Sequence, residues 1–181
     1  MIFEENTMKT ERIYEGKILN LRIDTVELPD KKYSKREIVE HPGAVAIIAI
    51  TDENELVLVK QFRKAVEKIL LEIPAGKLEV GEEPEECARR ELLEETGFTA
   101  KEMKYLYEFY TSPGFCNEKM YLFLAKGLIK GESNPDNDEY IEVHTKKVDE
   151  LYDMVINGEI LDSKTIIGIY TAKMLMSNKN F

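Results

Sequence analysis

The sequence predicts an α+β or α/β sandwich, a set of strands with helices packed around them, preceded by a small N-terminal β region. Three observations carry that expectation. A continuous apolar run at 44–50, rich in β-branched residues, reads as a buried strand. Two helices are strongly signalled, at Pro84–Thr96 and at about 163–176. Most of the remainder alternates between apolar and polar residues in short stretches separated by turn residues.

In chain order, residues 10–40 are strand-rich. Leu19, Leu21 and Ile23 alternate with polar residues, and Val26 and Leu28 resume the alternation after a slip. Pro29-Asp30-Lys31-Lys32 signals a turn, and 36–39 returns to an extended pattern. This region, 1–40, is expected to form its own sheet, with 41–181 as the main domain. After the buried strand, 51–54 is a turn, from which 56–62 is expected to pair back as a hairpin. Further strands are expected at 105–110, 119–126 and 140–147. The first helix has Pro84 in its first turn, acidic residues where the helix dipole favours them, and Gly97 at its C-terminal stop. Leu92, Leu93 and Ala88 are its expected core face. Asp162 and Ser163 are capping candidates for the second helix, and a shorter helix at Val148–Ile156 stops near Asn157-Gly158. No internal repeat is found.

Composition excludes several classes of function. The 181 residues are 43% hydrophobic, enough for one self-sufficient core. A formal net charge of −10 argues against nucleic-acid and anionic-membrane partners, which select basic surfaces, and suits a site that gathers divalent metal. Cys87 and Cys116 are too few for a disulfide framework and are expected as free thiols. Residues 1–10 hold Glu4, Glu5 and Lys9 without an apolar stretch, so no signal peptide is expected, and 44–50 is too short to span a bilayer. The expected location is cytoplasmic.

The informative stretch is 76–98, which holds eight carboxylates against three basic residues, half of the chain's net charge. On a helix, Glu91 lies three positions from Glu94 and four from Glu95, so all three project into one sector. Like charges at that spacing repel, and a helix selected for stability alone would interleave lysine. A hard divalent cation offsets the repulsion, because Mg²⁺ favours carboxylate oxygens together with waters and phosphates. Arg90 and Glu94 are also four apart and can pair. A merely solvated acidic helix is the plain alternative, and it does not account for the fixed loop–helix arrangement.

That arrangement resembles the Nudix box: glycine, five residues, glutamate, seven residues, then Arg-Glu-aliphatic-X-Glu-Glu-X-Gly-aliphatic. Gly76, Glu82, Arg90, Glu91, Leu92, Glu94, Glu95 and Gly97 match it, and Phe98 puts an aromatic at the last position. The resemblance implies an α/β/α sandwich with a mixed sheet. It also implies hydrolysis of a nucleoside diphosphate linked to a second group, with Mg²⁺, or Mn²⁺ in its place, as cofactor. By position, Glu91 and Glu95 would ligate metal, Glu94 and Glu82 would support the metal site, and Arg90 would orient the glutamates.

Three further features resemble the ADP-ribose pyrophosphatase branch of that family. Pro113-Gly114 lies sixteen residues after Gly97, as in that branch. Gln61-Phe62-Arg63, followed by Leu71-Glu72-Ile73-Pro74-Ala75-Gly76, is similar to the segment leading into the box there. By that match Arg63 contacts substrate, and the Ala75 carbonyl is a candidate metal ligand. Arg36 resembles an arginine supplied to the substrate, with a surface role as its alternative. Tyr14 and Tyr33 are candidates for stacking adenine, with a core or edge position as the alternative for each. A loop carboxylate at 132–139 is the expected base, Glu139 first and Asp136 or Asp138 otherwise. The resemblance further implies a homodimer acting on a small nucleotide, with AMP and ribose 5-phosphate as products. A GDP-sugar substrate and a catalytically silent, nucleotide-sensing domain are the alternatives.

Overall fold

The computed structural model describes residues 3–131 and 140–177. Its contacts divide it into two compact units, residues 1–43 with 109–119, and residues 44–108 with 120–181.

The first unit is built on a three-stranded antiparallel sheet, ordered β1 (Asn6–Glu15), β2 (Asn20–Glu27), β3 (Tyr33–Glu40). Every residue of β1 is exposed, so the strand has no apolar alternation to betray it, and the sequence did not locate its start. Register shifts at Thr7/Lys9 and Arg12/Tyr14 interrupt it further. Among the described residues of this unit, Val26 is the one buried hydrophobic side chain. Polar contacts across the sheet stand in for a core. Thr10 donates to Asp24 at 2.8 Å, and Arg22 pairs with both Asp24 and Glu40. Residues 109–119 join through Val39 N–H to the Phe115 carbonyl at 2.8 Å and Asn117 N–H to the Val39 carbonyl at 3.1 Å.

The second unit carries β4 (Ala44–Ala49), β5 (Glu55–Arg63), β6 (Lys68–Glu72), β7 (Ala75–Lys77), α1 (Pro84–Thr96), β8 (Phe98–Tyr110), β9 (Lys119–Lys130), β10 (Glu142–Lys147), α2 (Val148–Ile156) and α3 (Ser163–Ser177). The first sheet runs β7-β4-β9-β8 and is mixed, since β4 is antiparallel to β7 and parallel to β9. The second is antiparallel and runs β10-β5-β6.

All six residues of β4 are buried, because helices cover both of its faces. Val45, Ile47 and Ala49 pack in one core with Cys87, Ala88 and Leu92 of α1. Ile48 points to the other face, where it meets α3 at Gly168, a position at which a Cβ would stand 2.8 Å from Ile73 Cδ1. This is the α/β/α layering. A strand buried on both faces reads as a continuous apolar run rather than an alternation.

The expected β4–β5 hairpin does not form. Both edges of β4 are taken, one by β7 and one by β9, so β5 retains only the Ile50–Leu56 bridge and joins the second sheet. The helix signals are met. Gly97 closes α1 in the left-handed conformation, φ 74°, and donates to the Leu93 carbonyl. Asp162 caps α3 by accepting from Thr165 N–H at 3.0 Å and from the Thr165 hydroxyl at 2.5 Å. One expectation on α1 needs correction. Leu92 and Ala88 are fully buried, but Leu93 is 37% exposed, because its position is rotated about 100° beyond Leu92.

The two leucines provide a test of this face. Leu92→Ala should cost about 2–5 kcal/mol through transfer and cavity terms. Leu93→Ala should cost less, about 1–2 kcal/mol, since the residue is 37% exposed. Equal losses in urea unfolding would contradict the orientation of α1.

Candidate active site

The acidic cluster is organised around one side chain. Arg90 Nε and Nη2 donate to the two oxygens of Glu82 at 2.8 and 3.0 Å. Its Nη1 donates to Glu91 Oε1 at 2.7 Å and to Glu94 Oε2 at 2.9 Å. A planar guanidinium with five donors can hold three carboxylates in a fixed fan, and the charge-assisted bonds are stronger than neutral ones. The i,i+4 pair with Glu94 was legible in the sequence. The bidentate bond to Glu82, eight positions back, depends on the loop. That loop is closed by Glu82 N–H to the Glu79 carbonyl at 3.1 Å and by Glu79 N–H to Glu82 Oε2 at 3.0 Å, with Gly81 at φ 81°.

The remaining box carboxylates face β7. Glu95 is 4% exposed, and its Oε2 accepts from Ala75 N–H at 2.9 Å. Glu91 lies so close to Gly76 that a Cβ there would collide with its carboxylate. Glycine at 76 is therefore required by close approach. Ala75 and Gly76 are placed in turn by β4, through pairing to Ala46 and Val45, and by the Ile47 N–H to Pro74 carbonyl bond at 2.8 Å.

Electrostatics follow the geometry. The hydrogen bond from Arg90 holds the Glu82 carboxyl down at about 2. The same contact raises the pKa of Arg90, which stays charged at every relevant pH. Burial, with Glu82 nearby, pushes the Cys87 thiol up to about 12, which makes it an inert core thiol.

The donor set suits a hard divalent cation. It consists of carboxylate oxygens converging on a strand whose glycine admits them to the backbone. Among the described residues, no three acidic, histidine or cysteine side chains already form a metal cage. The carboxylates are held by Arg90 and by the Ala75 amide instead.

The other sequence-derived residues fall as follows. Arg63, at the end of β5, is locked to Glu72 through Nε and Nη2, both at 2.8 Å. Arg36, on β3, is bound by Glu5 at 2.8 and 2.5 Å and donates to Ser34 Oγ at 2.9 Å. Pro113 and Gly114 occupy an exposed turn closed by Phe115 N–H and Cys116 N–H to the Ser112 carbonyl. Tyr14 and Tyr33 are 58% and 63% exposed. Glu139, Asp136 and Asp138 lie outside the described residues.

Sequence reasoning missed a second cluster. Glu72, 1% exposed, binds Arg63 and also Lys164 of α3, which is 3.1 Å from Asp162. A signal was present, a lone carboxylate inside the apolar run Ile69-Leu70-Leu71-Glu72-Ile73. Lys164 carried none.

Comparison with known proteins gives consistent matches. A family model described as NUDIX domain matches residues 40–164, and one described as nucleoside diphosphate sugar hydrolase N-terminal domain matches 5–39. A methanol dehydrogenase activator of Bacillus methanolicus is 51% identical over 170 residues, 93% of this chain and 92% of that one. An ADP-ribose pyrophosphatase of Bacillus subtilis is 49% identical over 168 residues, 92% and 91% of the two chains. A crystal structure of an ADP compounds hydrolase superposes with a TM-score of 0.86 at 19% identity, covering 98% of this chain and 96% of that one. That last likeness shows the fold.

The Arg90–Glu82 contact predicts a pH dependence. A carboxyl depressed on folding stabilises the fold above its unfolded value of 4.5 and loses that contribution as pH falls toward about 2. The stability difference between the wild type and Glu82→Gln should therefore be level above pH 4.5 and shrink between 4.5 and about 2. A difference that does not change with pH in that window would contradict the pairing.

Proposed function

Because the chain belongs to the Nudix family, we propose that it hydrolyses the diphosphate of ADP-ribose to AMP and ribose 5-phosphate with Mg²⁺ as cofactor. The observation that carries this reading is the box itself. Every charged position of the motif is present, and Arg90 gathers Glu82, Glu91 and Glu94 beside the strand that receives Glu95. Family members generally use divalent metal ions. The choice of ADP-ribose rests on the Bacillus subtilis relative and on the Arg63, Ala75 and Pro113 pattern. The name of the Bacillus methanolicus relative describes an effect on another enzyme and specifies no bond cleaved, so it leaves the substrate open.

In this reading Glu91, Glu95 and the Ala75 carbonyl hold the cation, with Glu94 beside them. The cation supplies neutralisation of the diphosphate charge and an acidified water at neutral pH. Glu91, bonded to Arg90 in the structure, would turn its carboxylate toward the cation. Arg90 bonds Glu82 through two nitrogens and Glu94 through a third, so the helix face would stay anchored to its loop. Arg63 and, from sequence alone, Arg36, Pro113 and Gly114 are the residues assigned to the charged substrate. Glu139 accepts the proton of the attacking water, a role assigned from sequence alone. The N-terminal region serves homodimerisation. β1 is exposed along its whole length and Val26 is the unit's one buried hydrophobic side chain among the described residues, so a partner chain has apolar surface to cover. The setting is cytoplasmic. Both cysteines are free, and no helix among the described residues is long and apolar enough to cross a membrane.

Purified protein with Mg²⁺ should release AMP and ribose 5-phosphate from ADP-ribose faster than it cleaves GDP-mannose, and excess EDTA should abolish turnover. Glu95→Gln should lower kcat by orders of magnitude, with thermal stability held because an amide oxygen can still accept from Ala75 N–H. Glu139→Gln should lower kcat far more than KM. Full activity in chelator would sink the metal chemistry. A normal kcat in Glu139→Gln, with loss in Asp136→Asn or Asp138→Asn, would move the base along the loop. Light scattering should show a dimer at working concentrations, and a fully active monomer would remove that assignment.

A further inference from the structure

The buried cluster behind the box links the start of α3 to the arginine expected at the substrate. Glu72 accepts Arg63 on both oxygens, and Lys164 binds one of the same oxygens. Lys164 is 8% exposed and also meets Asp162 Oδ1 at 3.1 Å. The other Asp162 oxygen caps α3 through Thr165, whose hydroxyl accepts from Ile73 N–H at 2.9 Å. Two residues on, Ala75 N–H holds Glu95. A single short segment, 72–75, is therefore pinned by α3 and also receives a box carboxylate.

Buried ion networks seldom justify themselves by stability. Well-packed apolar replacements are often as stable, while removal of one partner leaves a costly uncompensated charge. What such a network can set is position. Here the formal charges of Arg63, Lys164, Glu72 and Asp162 cancel. Without Lys164, Arg63 would be the principal counter-ion left to the buried Glu72. Its charge would then be taken up by Glu72, to which it is already bonded through Nε and Nη2, and the cluster would present one extra negative charge toward an incoming diphosphate. Arg63 also feels the charges of Glu95 and Asp162, which places it within electrostatic reach of the box. Burial pushes Glu72 up, yet Arg63 and Lys164 outweigh it and leave its pKa below the ordinary value, so the carboxylate is ionised at neutral pH.

We propose that Lys164 is a positioning residue for diphosphate binding: by neutralising Glu72 from the α3 side, it leaves the positive charge of Arg63 available to substrate. This rests on the reading that Arg63 contacts the substrate diphosphate. It does not require that ADP-ribose be the molecule turned over.

The test measures equilibrium binding of ADP, which carries the diphosphate, beside steady-state kinetics on ADP-ribose. Lys164→Met and Arg63→Ala should each weaken ADP binding about tenfold. The double variant should bind no worse than Arg63→Ala alone, because Lys164 acts through Arg63. Lys164→Arg should bind within about threefold of the wild type. In turnover, Lys164→Met should raise KM with kcat little changed. If Lys164→Met does not fold, Lys164→Gln takes its place in the same cycle. Wild-type binding by Lys164→Met, additive losses in the double variant, or no saturable ADP binding by the wild type would overturn the proposal. A wild type that binds ADP with the expected pattern but does not hydrolyse ADP-ribose would leave the proposal standing and sink the assigned substrate.

Discussion

Three carboxylates on one loop and one helix face would push each other apart, and in this chain a single guanidinium prevents it. Arg90 bonds Glu82, Glu91 and Glu94 at once, and no lysine could do so with comparable geometry, since an ammonium is a point charge without a planar fork. The arrangement constrains everything near it. The loop must close so that Glu82 returns to the helix, which sets Gly81 at positive φ. The strand before the loop must carry glycine at 76, because Glu91 has taken the space of a side chain. Residues Cys87, Ala88 and Leu92 must be apolar, because the opposite face of the same helix is the core.

What was legible follows from this. Residues bound by local rules, at three and four positions on a helix or at a capping site, could be read directly. The limits of α1 and the capping role of Asp162 were of that kind. Contacts made across the fold were not. The partner of β5 was misread because a short turn after β4 suggests a hairpin, while the choice was made by β7 and β9, which had already taken both edges. The start of β1 escaped notice because a strand exposed on both faces has no period. Leu93 was misplaced because two adjacent leucines on a helix cannot both point inward when the buried sector is narrow.

The site shows the same division. The box could be identified from spacing, since its residues lie within 23 consecutive positions. The cluster around Glu72 could not, because Arg63, Glu72 and Lys164 are drawn from β5, β6 and α3. Only the anomaly of a charge within an apolar run hinted at it. The two clusters nevertheless share one backbone segment, so the locally encoded and the globally assembled parts of the site are mechanically one piece.

The parallel pairing of β4 with β9 has a consequence for how the molecule is made. Ala44 pairs with Met120, 76 positions later in the chain. At the roughly 5–20 residues per second of protein synthesis, β4 leaves the ribosome some seconds before its parallel neighbour exists. During that interval its apolar residues can be sheltered by β5, β7 and α1, which follow it more closely. The loop–helix element can therefore assemble against β4 before β9 is made. The segment that bears the acidic cluster would then also be an early cover of a strand whose six residues are all buried.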